Sequence, residues 1–272
     1  MQKNLIFIFF ISVFIIFLDN NLFSKNIGLI SVYGGSLGYN QEYKAKGTKT
    51  SDDGFLKGIY GQYISDKYQF NFFGYNTDDM DFSKIKGLHS NFDFYFKNKK
   101  SIKYLSGFVY ENIDVKVSAY NRISNLYYFG VDKNINIYLL RFGLIYKSNY
   151  KNINYRILPY IGKAYFNLDG NVVIDPYGPP PKIVSDISQK NYYWVIGSNL
   201  NLSPLRFIEF QIKYSFYFKN NKNINNSEIM LNFFLNKSIG ISYRYKFLDL
   251  NISEIENKIK YNMFGIVYLF DL

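Results

Sequence analysis

The 272-residue sequence contains no cysteine, so the fold has no disulfide, and no thiol follows the N-terminal apolar run to take a lipid anchor. His89 is the only histidine, and zinc-ligand spacing, a phosphate-cradling glycine loop and a dinucleotide-binding fingerprint are all missing. One apolar run stands out, from Leu5 to Leu18; beyond it no stretch approaches the ~20 residues that a membrane-crossing helix needs. No helical period persists either. Any membrane-spanning structure in this chain must therefore be built from strands.

The N-terminus reads as a secretory signal: Lys3, the apolar run, then a polar stretch with Leu22 and Ser24. The run is too short for an anchor, and the expected cleavage follows Ser24. Residues 1–24 are then a signal peptide and 25–272 a single domain, since no linker or second composition zone interrupts it. Aromatic residues make up 21% of the chain, with 28 Tyr and 27 Phe, a surplus that requires an apolar setting tolerant of hydroxyls. The net charge of +11 could attract nucleic acid or acidic lipid. Lys, Asn, Ile, Phe and Tyr all have A/T-rich codons, however, so codon bias accounts for the excess and no nucleic-acid partner is expected.

Alternation of period two fills the rest of the chain. Ile208, Phe210, Ile212, Tyr214, Phe216 and Phe218 stand against Glu209, Gln211, Lys213, Ser215 and Tyr217, which gives a strand one greasy and one wet face. Leu88, Phe92, Phe94 and Phe96 oppose His89, Asn91 and Asp93. Ile239, Ile241, Tyr243, Tyr245 and Phe247 oppose Ser242, Arg244 and Lys246, and Leu140, Phe142 and Leu144 oppose Arg141 and Lys147. The first segment sets Leu29, Tyr33, Leu37 and Tyr39 against Gly28, Gly34, Ser36 and Gly38, and the last carries Phe264, Ile266, Tyr268, Phe270 and Leu272 on one face.

Read this way the chain is all-β, a transmembrane antiparallel up-and-down barrel of about fourteen strands. Twelve is the alternative, because the connections expected around Asn112 and Asn134 are short where long ones should fall. Short turns at 65–67, 97–101, 122–125, 148–152, 203–205 and 236–238 are expected on the periplasmic side. Longer polar segments at 40–54, 76–86, 167–190, 219–227 and 248–258 are expected as loops outside the cell. A soluble sandwich alternates too, but strands of nine or more residues and Tyr or Trp at strand ends, as at Tyr192, Tyr193 and Trp194, favour a bilayer.

The terminal residues Tyr268, Leu269, Phe270, Asp271 and Leu272 resemble the closing strand of bacterial outer-membrane β-barrel proteins of the porin-like kind. The resemblance implies a multi-pass protein of the bacterial outer membrane, with lipid and the barrel assembly machinery as partners and Tyr268, Phe270 and Leu272 as the assembly signal. The chain departs from that pattern in ending on Leu instead of the commoner Phe.

No enzyme, metal site or cofactor is expected. His89 and Ser90 are neighbours on a strand and point to opposite faces, so they cannot form a nucleophilic pair locally. Asp78, Asp79 and Asp81 read as a solvated acidic loop, and Pro179, Pro180 and Pro181 stiffen a surface loop. With apolar faces turned to lipid, Lys103, Lys116, Arg141, Lys147, Lys213, Arg244 and Lys246 fall on the lumen side against Asp93, Glu111, Asp114 and Glu209. The named pore-lining candidates are Arg141, Lys147, Lys213, Arg244, Lys246, Glu209 and Asp93. The first functional reading is thus a passive channel for small hydrophilic solutes with a weak preference for anions. The alternative is a non-conducting surface barrel whose long loops bind an extracellular macromolecule, favoured if tyrosines and paired charges pack the lumen.

Overall fold

In a computed structural model the chain closes on itself as an antiparallel barrel of twelve strands. The structure describes residues 27–43, 48–65, 67–78, 80, 83–97, 102–120, 127–150, 153–176, 183–205, 207–219, 222–252 and 255–271. The signal-peptide region, Asp79, Asp81, Pro179, Pro180, Pro181 and Leu272 lie outside the described residues.

The strands are β1 (Ile27–Tyr43), β2 (Thr48–Ile64), β3 (Tyr68–Asp78), β4 (Ser83–Lys97), β5 (Ile102–Tyr120), β6 (Tyr127–Tyr150), β7 (Ile153–Pro176), β8 (Ile183–Leu205), β9 (Ile208–Lys219), β10 (Lys222–Phe234), β11 (Ile239–Ile252) and β12 (Ile255–Asp271). Each pairs with its neighbours in sequence. β1 and β12 close the ring from Ile27 opposite Asp271 to Tyr43 opposite Ile255, so the barrel wall has no edge at the seam.

The strand count is the lower of the two expected, and the reason is local. Asn112 and Asn134 do not mark turns: β5 and β6 run straight through them, and Asn112 donates to Asn134 (3.2 Å) and Asn136 (3.0 Å) across the ladder. With those two strands merged into their neighbours, the β5–β6 connection moves from the periplasmic to the opposite side. The long polar segments are likewise mostly strand. The 167–190 stretch belongs to β7 and β8 except for 177–182, and the polar side chains sit on the outer face of strands that outrun the bilayer.

The outer face shows where the bilayer ends. Ile266 is 69% exposed and Ile161, Ile196, Phe142 and Phe264 are similarly bare, a belt of large apolar side chains that only a lipid environment accommodates. A row of tyrosines crosses four strands at the top of this belt, with ring centroids of Tyr110–Tyr138 at 5.1 Å, Tyr138–Tyr165 at 6.1 Å and Tyr165–Tyr192 at 5.1 Å. Amphipathic rings mark a membrane–water interface. Above the row the outer face turns polar: Tyr110 donates to Asn136 (3.0 Å), Asn134 donates to Asp114, and Lys116 meets Asp132 at 2.8 Å.

From Tyr138 to Tyr146 β6 has nine residues, matching the ~9–11 that cross a bilayer as a tilted strand. The eleven residues from Tyr127 to Ile137 rise above it, roughly 25–30 Å at ordinary strand rise and tilt. β5 to β8, at 19, 24, 24 and 23 residues, therefore form a tall wall on one side, while β9 and β10 have only 12 and 13.

In β1 the expected faces are exchanged. Leu29, Tyr33, Leu37 and Tyr39 are buried inside the barrel, and Ile30 and Val32 meet lipid. The outward Gly34 gives the Phe55 ring of β2 a place to lie flat: a Cβ there would stand 3.1 Å from Phe55 Cζ.

Candidate functional site: the barrel interior

Three layers stack along the barrel axis. At the periplasmic end a cavity of about 730 Å³ opens among Ile27, Leu29, Ile64 and Leu269, with Gln62 and Glu209 at its inner end. Glu209 accepts a hydrogen bond from Asn232 (3.1 Å), which in turn accepts from Ser242 (2.6 Å).

The second layer lies at membrane depth and is ionic. Arg141 on β6 reaches Asp93 on β4 at 2.8 Å, donates to Asn91 (2.7 Å), and stacks its guanidinium 4.8 Å from the Tyr160 ring. The contact needs Gly107 on β5, because a Cβ there would overlap the Asp93 carboxylate and stand 3.2 Å from Arg141 Nε. Arg244 on β11 meets Glu228 at 2.9 Å and is pressed against Phe73, 3.9 Å from its ring centroid, and Tyr60, at 4.8 Å. Lys213 reaches the same Glu228 at 3.2 Å. Lys246 pairs with Glu111, whose other oxygen lies 3.8 Å from His89 Nδ1. Between these groups remains a void of about 40 Å³ beside Asn71, His89, Arg141 and Lys213, room for one to three waters.

The third layer, above the tyrosine row, is apolar. Leu37, Leu56, Ile85, Ile113, Ile135, Ile224 and Leu250 all have no exposed surface, and Val115, also fully buried, joins them. Lys133 is embedded beside them, donating to Tyr39 Oη (2.7 Å), Gln41 Oε1 (2.8 Å) and Asn257 Oδ1. Burial among neutral partners pushes its ammonium down from an ordinary 10.5 to about 7.

The sequence-derived candidates thus divide. Arg141, Asp93, Lys213, Arg244, Lys246 and Glu209 share the inner face and five of them enter ion pairs there. Lys147 is on the inward side near the periplasmic end and is exposed, and Lys103 faces inward at the same level. Lys116 and Asp114 are corrected to the outer face, because β5 keeps its odd-numbered residues inside. Glu228 was missed, although it sits opposite both Lys213 and Lys246 in the ladders. Its alternation with Met230 and Asn232 is readable, but the loop expected at 219–227 ends just before it and leaves it outside the pattern. With Glu228 counted, the ionic layer holds Arg141, Lys213, Arg244 and Lys246 against Asp93, Glu111 and Glu228, and the further inward cations Lys103, Lys147 and Arg156 lie toward the periplasmic end with Glu209. Tyr268 and Phe270 stack on the outer face, 6.1 Å apart. Among the described residues no group of three or more His, Asp or Glu is placed to hold a metal ion.

No family model matches the chain, and no curated protein is similar to it in sequence. Among solved structures, the translocator domain of the autotransporter NalP from Neisseria meningitidis superposes with a TM-score of 0.53 at 11% identity, covering 94% of this chain and 92% of that one. The fold is that of the bacterial outer-membrane β-barrels. The P. putida toluene transporter TodX (TM-score 0.40, 8% identity, 91% and 90% covered) and the KdgM porin (0.41, 9%, 89% and 98%) are more distant. In such a barrel fold the belt of Ile266, Phe264, Ile161 and Ile196 is the lipid-facing surface.

Proposed function

We propose that this outer-membrane barrel is a non-conducting surface protein whose working part is the wall of β5–β8 above the bilayer. The observation that supports this reading is the filled interior. Ions crossing the lumen would have to break ion pairs that are closed on one another and then enter a layer of fully buried Leu, Ile and Val side chains, whose polar groups Lys133, Gln41 and Asn257 are bonded to one another. An unpaired buried charge costs about 3–5 kcal/mol, and an apolar constriction excludes water on its own account. A soluble binder needs a rigid, displayed surface, and a barrel stiffened by its own core supplies one.

A passive channel is the second reading, favoured by the 730 Å³ cavity that already opens one end of the path. Single-channel recording of the refolded protein in a planar bilayer separates the two. The native chain is expected to insert as a heat-modifiable barrel and stay silent. Discrete steps, with ion selectivity that shifts in Arg141→Glu and Arg244→Glu, would reinstate the channel.

A further inference from the structure

The tall wall ends in a strand edge that no other described strand pairs with, although the Lys219 side chain donates to Asn191 at 2.7 Å from inside the barrel. β8 pairs with β7 from Ile183 to Ser203, but with β9 only from Trp194 downward, because β9 stops at Lys219. Ile183–Tyr193 therefore has a neighbour on one side alone, and among the described residues no strand pairs with the other side. In an antiparallel ladder every second residue turns both its N–H and its C=O to the same neighbour, so about five residues here present unmade ladder bonds to water. The comparable step on the other flank, Thr48–Gly54 of β2 beyond the end of β3, is shorter and is contacted by the next segment: Ser83 donates to Asp52 at 2.7 Å and Met80 lies against Gly54. Unprotected edges invite strand addition.

From these observations we infer that Ile183–Tyr193 of β8 is a docking edge for an extended segment of another polypeptide, added as an antiparallel strand outside the cell. This rests on the reading of the wall as the working part. The side chains on the outer face of the edge define what fits. Val184 is 56% and Tyr192 59% exposed, and Asp186, Ser188 and Lys190 between them are exposed too. An antiparallel strand that meets them well carries, from its N-terminus at alternate positions, an apolar residue opposite Tyr192, an acid opposite Lys190, a hydroxyl opposite Ser188, a base opposite Asp186 and an apolar residue opposite Val184.

The β8 segment itself has this pattern about Ser188, with Val184 opposite Tyr192 and Asp186 opposite Lys190. A second barrel in the same membrane nevertheless does not fit. A two-fold axis along the membrane normal carries a strand tilted by ~40° into one crossing it at roughly 80°, not into an antiparallel partner. The occupant is a separate, flexible strand, and the β8 sequence serves as its probe.

The test uses the intact barrel in lipid nanodiscs and a fluorescent peptide of residues 183–193, followed by anisotropy. Two further peptides carry N-methyl groups on alternate amides, one on the odd and one on the even residues. Binding is expected to fall at least tenfold for one methylated peptide and to stay within twofold for the other, since only one set of amides faces the edge. Exchanging Asp186 and Lys190 in the peptide should weaken binding at least fivefold, and the barrel variant D186K/K190D should restore it. No binding, equal effects of the two methylated peptides, or indifference to the charge exchange would overturn the proposal. So would self-association of the nanodisc-free barrel that the peptide competes away, which would make a second copy the occupant. None of these readouts depends on conductance, so a conducting barrel with a working edge, or a silent one without, would separate this inference from the functional reading it rests on.

Discussion

At the scale of single residues the most informative side chain is Lys133, a cation embedded beside the apolar upper layer. Lys133 alternates with Asn134 and Asp132 in a stretch that reads as a polar connection, and only the tertiary ladder shows it to be inside. Its partners Tyr39, Gln41 and Asn257 are neutral, so no opposite charge offsets the loss of hydration, and the amine is pushed down from 10.5 to about 7. The consequence has a sign. Between those two values the unfolded chain binds a proton at this site and the native barrel does not, so Lys133 makes stability rise as pH rises through that window. The native barrel should therefore become more stable from about pH 7.5 to 9.5 by an amount that K133M lacks. The measurement is urea unfolding in detergent micelles followed by the emission of Trp194, the only tryptophan, which lies on the lipid-facing belt. Equal slopes for the two proteins would mean that the ammonium stays protonated and hydrated. Arg141, Lys213, Arg244 and Lys246 were legible from alternation alone because a basic residue flanked by Leu, Phe or Tyr on a strand has one dry face to avoid. Their partners were less so, since pairing depends on registers between strands that one-dimensional periodicity does not set.

Single elements show why the strand number was harder to read than the strand pattern. Alternation gave β4, β9, β11 and β12 with the right faces, because these strands keep one outer environment, lipid, over most of their length. In β5 and β6 the outer environment changes midway, from lipid to water, and the outer residues change from Phe142, Leu140 and Tyr138 to Asn136, Asn134 and Asp132. A polar stretch in a barrel sequence thus has two meanings, a turn or a strand above the bilayer, and Asn112 and Asn134 were placed in the wrong one. β1 failed differently: its Gly and Ser on the lipid side look like a wet face by composition, while the Phe55 ring covers Gly34 from the next strand. The absence of cysteine makes the boundary measurable. Single cysteines placed at outward positions 132, 134, 136, 140, 142 and 144 of β6 should react with a charged maleimide in liposomes at the first three positions and resist it at the last three. The switch is expected within the two residues flanking Tyr138. Labelling that reappears below Tyr138 before the periplasmic end would break the assignment of one continuous strand.

For the whole molecule, the interior and exterior polarities are reversed between the two halves. Within the bilayer the outside is apolar and the inside holds Arg141–Asp93, Arg244–Glu228–Lys213 and Lys246–Glu111. Above it the outside is Asn, Asp and Lys and the inside is Leu, Ile and Val. Each half buries what its surroundings would not solvate, which is why both can be packed solid. It also places two different seals in series, and a series path is only as open as its tightest element. Opening the Arg244–Glu228 side of the ionic layer with R244S/E228S, while Arg141–Asp93 and Lys246–Glu111 stay paired, leaves the apolar layer intact, so that variant should remain silent in a planar bilayer. Replacing Leu37, Ile113 and Ile135, all fully buried in the upper half, by Ser hydrates the apolar layer but leaves the ion pairs closed, and should be silent too. Only the five-residue combination, checked for heat-modifiable migration as evidence of a folded barrel, is expected to conduct. If R244S/E228S conducts alone, the apolar layer is not a continuous seal and the ionic layer is the sole gate between the periplasmic cavity and the outside. If the combination folds and still does not conduct, closure resides in the connecting segments above the strands, and the lumen is not what keeps this barrel shut.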